Sequence, residues 1–496
     1  MRPALPARSA ALAAEVIVAV LDGWASGHGT LHARLAASLE AAIERGDVLP
    51  GTRLPTERVL ARALGIGRST VAAAYGTLDR RGLVSRRQGS GTWVELAGDR
   101  AAGRSDRETV GHLKLFALGS MGASADTIDL MAAAPAGVPD VRRLAAQAAR
   151  ETGRLAGHHG FWPFGYPPLR RDIAKKLTER GLPTREDEVL VTTGAQQAIA
   201  LTALAFVAPG DFVLLEDPTY PGAIDAYRRA GARCLGITVG ETGIEVDHAA
   251  DVLRRAECRL IYATPTFQNP TGSLMPAGER SRLVRLAVAR GALVVDDEVQ
   301  ADLTFGARQP PPVAAFGGED CVITIGSLSK VFWGGLRVGW IRAQQPLLSQ
   351  VGRLKAILDL GCSLPGQVLA ALLLQHLEEI LPPRLDEMRA RCALVGSLLS
   401  TLLPEWRFEE PSGGLTIWAR LPGGSASQFA EVAQAHGVAI LPGPMLSTSG
   451  RFDDRVRIAY VASPDRLEEG VRRLARAWRA YCDSGAVRDR GMGVIV

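Results

Sequence analysis

Residues 327–340 read SLSKVFWGGLRVGW: one lysine, Lys330, just after two serines, then a glycine pair, Arg337, and a return to apolar residues. The preceding run, CVITIGS at 321–327, is rich in β-branched residues and uncharged, which predicts a buried strand. A lysine where such a strand ends can reach a crevice at the sheet edge while its stem stays packed. The same residue could equally be an ordinary surface lysine. The rest of the chain has to decide between the two.

From residue 126 onward, strand-like and helical runs alternate: VLVTT, AQQAIALTALAFV, DFVLLED, IDAYRRAG, ARCLGITV, RLIYATP, an arginine-rich helix near 278–290, ALVVDD and CVITIGS. This alternation predicts an α/β domain with a largely parallel sheet. Residues 370–485 carry long helices and fewer strands, which predicts a smaller α+β lobe. Polar residues follow one strand after another: Gly194, Ala195 and Gln196; Asp217 and Tyr220; Asn269; Asp296 and Asp297; Lys330 and Arg337. Strand ends on one edge of a parallel sheet converge, so these groups are expected to face one crevice. Each alone is commonplace, since a glycine at a helix start often only turns the chain.

Together they match the needs of pyridoxal 5'-phosphate (PLP): a lysine for the aldehyde, an anion at the pyridine nitrogen, a donor to the phenolate oxygen, an aromatic face and a phosphate cradle. Lys330 would capture the aldehyde, Asp297 would keep the pyridine nitrogen protonated, Asn269 would donate to the phenolate oxygen, and Tyr220 would stack on the ring. Gly194, Ala195, Gln196, Ser327 and Arg337 would bind the phosphate.

A basic unit precedes this domain. Leu31, Leu35, Leu39 and Ile43 recur every four residues and predict a helical face closed by Gly46. Two short helices follow, from about Thr56 and Ser69, with Gly65-Ile66-Gly67 as the tight turn of a helix-turn-helix. LVSRR and GTWVEL flank QGSG as a hairpin wing. Between Leu31 and Glu95 ten arginines face six acidic residues, so this unit holds most of the chain's formal charge of +5, as a phosphate-binding face requires. Candidate DNA contacts are Arg68, Ser69 and Thr70 at the start of the second short helix, Arg53, Arg58 and Arg62 gripping the flanks of the bound duplex, and Arg86, Arg87, Gln88 and Gly89 on the wing. A solvated basic module for protein contacts is the alternative.

The 496 residues, 47% of them hydrophobic, allow two or three domains and at least one large core. Six scattered cysteines and eight histidines form no metal-ligand spacing, which predicts reduced thiols, no metal and a cytoplasmic location. No run of eighteen uncharged apolar residues occurs, so no membrane span is expected. The opening 24 residues weakly imitate a signal peptide, but Glu15 interrupts their apolar stretch.

Residues 46–94 resemble the winged helix-turn-helix of the GntR family over nearly its full extent, from GDVLPGTRLPTERVLARALG through RSTVAAAYGTLDRRG to QGSGTWV. By this resemblance Arg58 and Arg68 are DNA-contacting arginines, Ser69 and Thr70 phosphate contacts, and Gln88 with Gly89 the wing tip. Ala72 stands where some members carry a further base-contacting arginine. Residues 126–485 resemble the fold-type I, aspartate-aminotransferase-like enzymes through GYPPLRRDIA, VTTGAQQAI, EDPTYPG, TPTFQNPTG, VVDDEVQADL, SLSKVFWGGLRVG and VRIAY. This resemblance implies that Lys330 holds the cofactor, that Asp297 partners the pyridine nitrogen, and that Arg457 takes the α-carboxylate of an amino acid. Gln300 replaces a tyrosine that most relatives place beside the phenolate oxygen.

The order of the two is that of the MocR subfamily of regulators. It implies a multidomain protein: a DNA-binding domain at 26–96, a linker at 97–125, a PLP domain at 126–485 with its small lobe at about 370–485, and a flexible tail at 486–496. It also implies a homodimer whose heads can exchange across the pair, a double-stranded DNA operator, and an amino compound or PLP itself as effector. On the sequence alone two other functions stay open: a genuine aminotransferase with an accessory head, and a DNA-binding structural protein without cofactor.

Overall fold

The computed structural model describes residues 14–21, 24, 30–44, 48, 52–81, 83–87, 91–94, 126–306 and 308–484. The expected linker and tail, and Gln88 and Gly89 at the wing tip, lie outside the described residues. The chain divides into two compact units, one N-terminal and one holding almost all of residues 126–484.

In the first unit, helices Leu31–Glu44, Glu57–Leu64 and Arg68–Arg80 surround one core with the antiparallel hairpin Val84–Arg87 and Gly91–Val94. Thr56 caps the second of these helices by accepting from the Val59 amide at 3.4 Å, and Gly65 ends it in the left-handed region at φ 67°. Gly67 caps the next helix, so the Gly-Ile-Gly turn is where the sequence places it. Tyr75 is buried within this core and donates to the Pro55 carbonyl at 2.9 Å.

Two expectations change. The buried stripe of the first long helix is Leu35, Ala36, Leu39 and Ala42, while Leu31 is 43% exposed and Ile43 only half-buried. Positions four apart drift about 40° per step around a 3.6-residue helix, so a strict four-residue series cannot stay on one face. In addition, helix Ala14–Val20 buries Ile17 in the same core, together with Leu21 just after it, so this unit begins before residue 26.

The second unit is built on an eight-stranded sheet. Its order is Val189–Thr192, Gly339–Arg342, Val322–Ser327, Leu293–Asp297, Cys258–Ala263, Phe212–Asp217, Arg233–Gly240 and Gly243–Ile244. The five strands from Val322–Ser327 to Arg233–Gly240 pair in parallel. Gly339–Arg342 runs against both of its neighbours, and the short Gly243–Ile244 closes the other edge antiparallel. Alternation along each strand feeds two cores. Val189 and Val191 pack on one face with helices Pro139–Leu155, Pro167–Glu179 and Leu364–Gln375, and Leu190 packs on the other with helix Ala195–Phe206.

The small lobe holds the antiparallel sheet Thr416–Arg420, Arg455–Ala459 and Leu441–Pro442 under helices Leu377–Leu402, Ala426–Ala435 and Pro464–Asp483. Ile128–Asp129 also joins it, pairing in parallel with Val438–Ala439, so the small lobe draws on residues well before 370. Among the described residues no helix is long and apolar enough to cross a membrane.

Candidate functional site

Lys330 follows the central strand Val322–Ser327 by three residues. It is half-buried by exposed area, but its amine lies at the enclosed end of the side chain, where it donates to the Ala133 carbonyl at 2.6 Å. Burial, reinforced by the positive field of Arg457, pushes the amine down to about 8, with Asp297 opposing the shift.

Asp297 ends the neighbouring strand, Leu293–Asp297, and is almost wholly buried. Its carboxylate accepts from the Tyr262 hydroxyl at 2.5 Å and from the Val299 amide at 3.0 Å. Burial pushes it up to about 6 against these two bonds.

Arg457 lies in the middle strand of the small-lobe sheet, opposite Trp418 and Leu441. It is buried, and burial pulls it down to about 10. One terminal nitrogen donates to Asn269 Oδ1 at 3.0 Å, the other donates to the Met131 carbonyl, and its Nε is buried without a partner. Among the described residues no carboxylate lies within ion-pair distance of it. Asn269 therefore spends its oxygen on Arg457, which leaves its amide nitrogen as the available donor. Tyr220 packs against Gly222 and lies in the electrostatic field of Asp297, Arg457 and Arg337.

At Gly194 a helix start and an arginine come together. Gly194, at φ 106°, opens helix Ala195–Phe206 with no side chain capping it, so the first-turn amides of Ala195 and Gln196 face outward from the helix end. The Arg337 guanidinium lies against Gly194, where an added Cβ would come within 3.0 Å of it, and donates to the Thr193 carbonyl at 2.7 Å. Gln196 donates to the Gly222 carbonyl at 3.0 Å and keeps its own buried oxygen unpartnered. Ser327 turns its hydroxyl to Ser329 and the Val338 carbonyl.

Two of the strand-end residues do not face this crevice. Asp296 points to the other side of the sheet, accepting from the Val313 amide and Thr324, because neighbouring strand residues alternate faces. Asp217 accepts from the amide and hydroxyl of Thr448 and ties down the loop after Leu446. Gln300 donates to the Phe267 carbonyl at 2.7 Å, so its side chain is committed to the backbone.

Tyr262 escaped the sequence reading, although a tyrosine in an apolar central strand signals a buried hydroxyl that needs a partner. The Met131 and Ala133 carbonyls carried no sequence signal. Among the described residues no group of three or more His, Cys, Asp or Glu could hold a metal.

These residues fit PLP: an amine of lowered basicity beside a buried carboxylate, an amide donor, an aromatic face, and a glycine cradle closed by an arginine. The sequence model for aminotransferase class I and II matches residues 132–474. The chain belongs to that family. The model for bacterial regulatory proteins of the gntR family matches residues 31–94 ahead of it.

A 2-aminoadipate transaminase of Thermus thermophilus is 37% identical over 67% of this chain and 84% of its own length. A probable rhizopine catabolism regulatory protein MocR of Rhizobium meliloti is 28% identical over 92% of this chain and 95% of its own, so it shares both units. The crystal structure of LysN, an alpha-aminoadipate aminotransferase from Thermus thermophilus complexed with N-(5'-phosphopyridoxyl)-L-leucine, superposes with a TM-score of 0.70 at 32% identity. The match covers 78% of this chain and 98% of that one. The present chain is thus a GntR/MocR-type DNA-binding regulator fused to an aminotransferase-like domain.

In the DNA-binding unit, Arg58, Arg62, Arg68 and Ser69 are exposed and Thr70 is half-buried at the start of helix Arg68–Arg80. Arg68 pairs with Glu57 at 3.2 Å while 74% of its side chain stays exposed, which leaves it within reach of a phosphate. Arg53 lies over the Trp93 ring at 5.9 Å and braces the wing. Arg86 and Arg87 sit on the first wing strand, and only their backbone is described.

Proposed function

We propose that the large unit holds PLP on Lys330 and reads a small molecule bearing both a primary amine and a carboxylate, and that this occupancy sets the affinity of the N-terminal unit for a DNA operator in the cytoplasm. The observation that carries the reading is Arg457: a buried guanidinium without a carboxylate, in the electrostatic field of a lysine whose basicity is lowered. A buried cation is costly without an anion, and an amino-acid carboxylate supplies one bidentately.

Lys330 would hold the aldehyde, Asp297 the pyridine nitrogen, Asn269 the phenolate oxygen, Tyr220 the ring face, and Gly194, Ala195, Gln196, Ser327 and Arg337 the phosphate. When bound, PLP supplies an electron sink conjugated to the carbon that meets the amine. With Gln300 turned to the Phe267 carbonyl, no hydroxyl from that position reaches the phenolate side, which favours binding over turnover and fits weak transaminase chemistry at most.

The working unit is proposed to be a homodimer. Phe161, Ile357, Leu358 and Leu360 are each more than half exposed, and Gly361 abuts Trp162, so they form one apolar surface for a second copy to cover.

Borohydride reduction of the PLP-loaded protein followed by peptide mass analysis tests the cofactor site. A pyridoxyl group is expected on Lys330 and none after Lys330→Ala. A label on any other lysine overturns the assignment. Arg457→Ala should then keep PLP and DNA binding yet lose the spectral response to carboxylate-bearing amines. Operator binding that switches with PLP alone, and with no amine, would replace the amino-acid sensor by a sensor of PLP itself.

A further inference from the structure

Behind Gly194 and Arg337 runs a chain of hydrogen bonds that none of the roles above uses. Lys355, on helix Gln345–Asp359, is wholly buried and donates to Asp359 Oδ1 at 2.5 Å. Asp359 Oδ2 accepts from Gln197 Nε2 at 2.8 Å, and Gln197 Oε1 accepts from the Thr193 amide at 2.8 Å. The carbonyl of the same residue, Thr193, takes the Arg337 guanidinium at 2.7 Å.

Partial burial pushes the Asp359 carboxyl up, but bonds from Lys355, Gln197 and the Gly361 amide outweigh it and hold it below the usual carboxylate range. An anion at that position draws the Gln197 amide protons toward itself. This enriches the amide oxygen and strengthens its grip on the Thr193 N–H.

The turn that follows Asp359 is itself constrained. Leu360 adopts the left-handed region at φ 48° while 55% exposed, a conformation that non-glycine residues seldom hold without external fixation. Gly361 has no room for a side chain, since an added Cβ would lie 2.9 Å from the Trp162 carbonyl. The position of Asp359 is thus fixed from both sides of the turn.

We propose that Lys355, Asp359 and Gln197 are positioning residues for the phosphate end of the cofactor: they hold the Thr193 backbone so that Gly194 and Arg337 stay aimed at one point. None of the three touches the phosphate. They act through Thr193. The inference rests on the PLP reading and concerns only its phosphate end, so a ligand that lacks phosphate is the internal control.

The test compares binding of PLP and of pyridoxal to the full chain, followed by absorbance, for wild type, Asp359→Asn, Gln197→Met and the double variant. Each single variant should weaken PLP on the order of tenfold, the effect of one charge-assisted hydrogen bond, and leave pyridoxal within about twofold. The double variant should be no weaker than the worse single one, because one relay is broken once. Equal losses for PLP and pyridoxal, additive losses, or no loss would overturn the relay. If Asp359→Asn does not fold, Gln197→Met alone decides the question, since it leaves the Lys355–Asp359 pair intact. Failure of the wild type to hold either ligand on Lys330 would instead remove the PLP reading itself.

Discussion

Lys330 illustrates how one side chain acquires a function from its surroundings. An exposed lysine is protonated at any physiological pH and is a poor nucleophile, whereas this amine is pushed down to about 8 by burial and by Arg457. The neutral form alone has a free electron pair, and its fraction grows as pH rises. PLP capture by the apo-protein should therefore accelerate about tenfold per pH unit below 8 and level off above it. Stopped-flow absorbance from pH 6 to 9.5 checks this, and a midpoint near 10 would mean that the pocket does not perturb the amine. The residue types at this site were legible because each needs a chemistry that the others complete. Asp297 was singled out for the cofactor by that logic, but Asp296 was expected beside it in the crevice, because alternation along the strand, which sends adjacent carboxylates to opposite faces, was not applied to the pair.

Secondary-structure elements were legible where a local rule acts alone. Thr56 before Glu57–Leu64 and Gly65 after it bracket that helix by capping chemistry, and the structure has both caps. Gly65 has nothing within 4 Å of an added Cβ, so Gly65→Ala would cost backbone strain without a clash, about 1 kcal/mol in the stability of the N-terminal unit. Urea denaturation of the full chain, followed by Trp93 and Trp24 fluorescence in a background lacking the other tryptophans, should give a lower midpoint at an unchanged slope. Elements fixed by distant partners were harder to read. Gly339–Arg342 is only four residues long and is a strand because two neighbours pair with it antiparallel. Ile128–Asp129 is two residues long and belongs to the small lobe only through Val438–Ala439, far along the chain.

At the scale of the whole molecule, a regulator needs an equilibrium that both its ligands bias, and such coupling is reciprocal. If an amino compound weakens operator binding by some factor, operator DNA must weaken binding of that compound by the same factor. The expected coupling is about 5- to 150-fold, measured by titrating the compound spectroscopically with and without operator duplex. A spectral response identical in the two titrations would mean that the large unit binds its ligand without informing the small one. The charge balance of the crevice has a practical corollary for any such titration. Arg457 and Arg337 each present a guanidinium, and the one carboxylate of the set, Asp297, is itself pushed toward its protonated form. The ligand-free protein is therefore expected to take up small anions there. Sulfate or phosphate in the buffer would occupy the crevice ahead of the ligand, so affinities measured in such buffers would come out too weak, whereas bulky monovalent counter-ions would leave them unchanged.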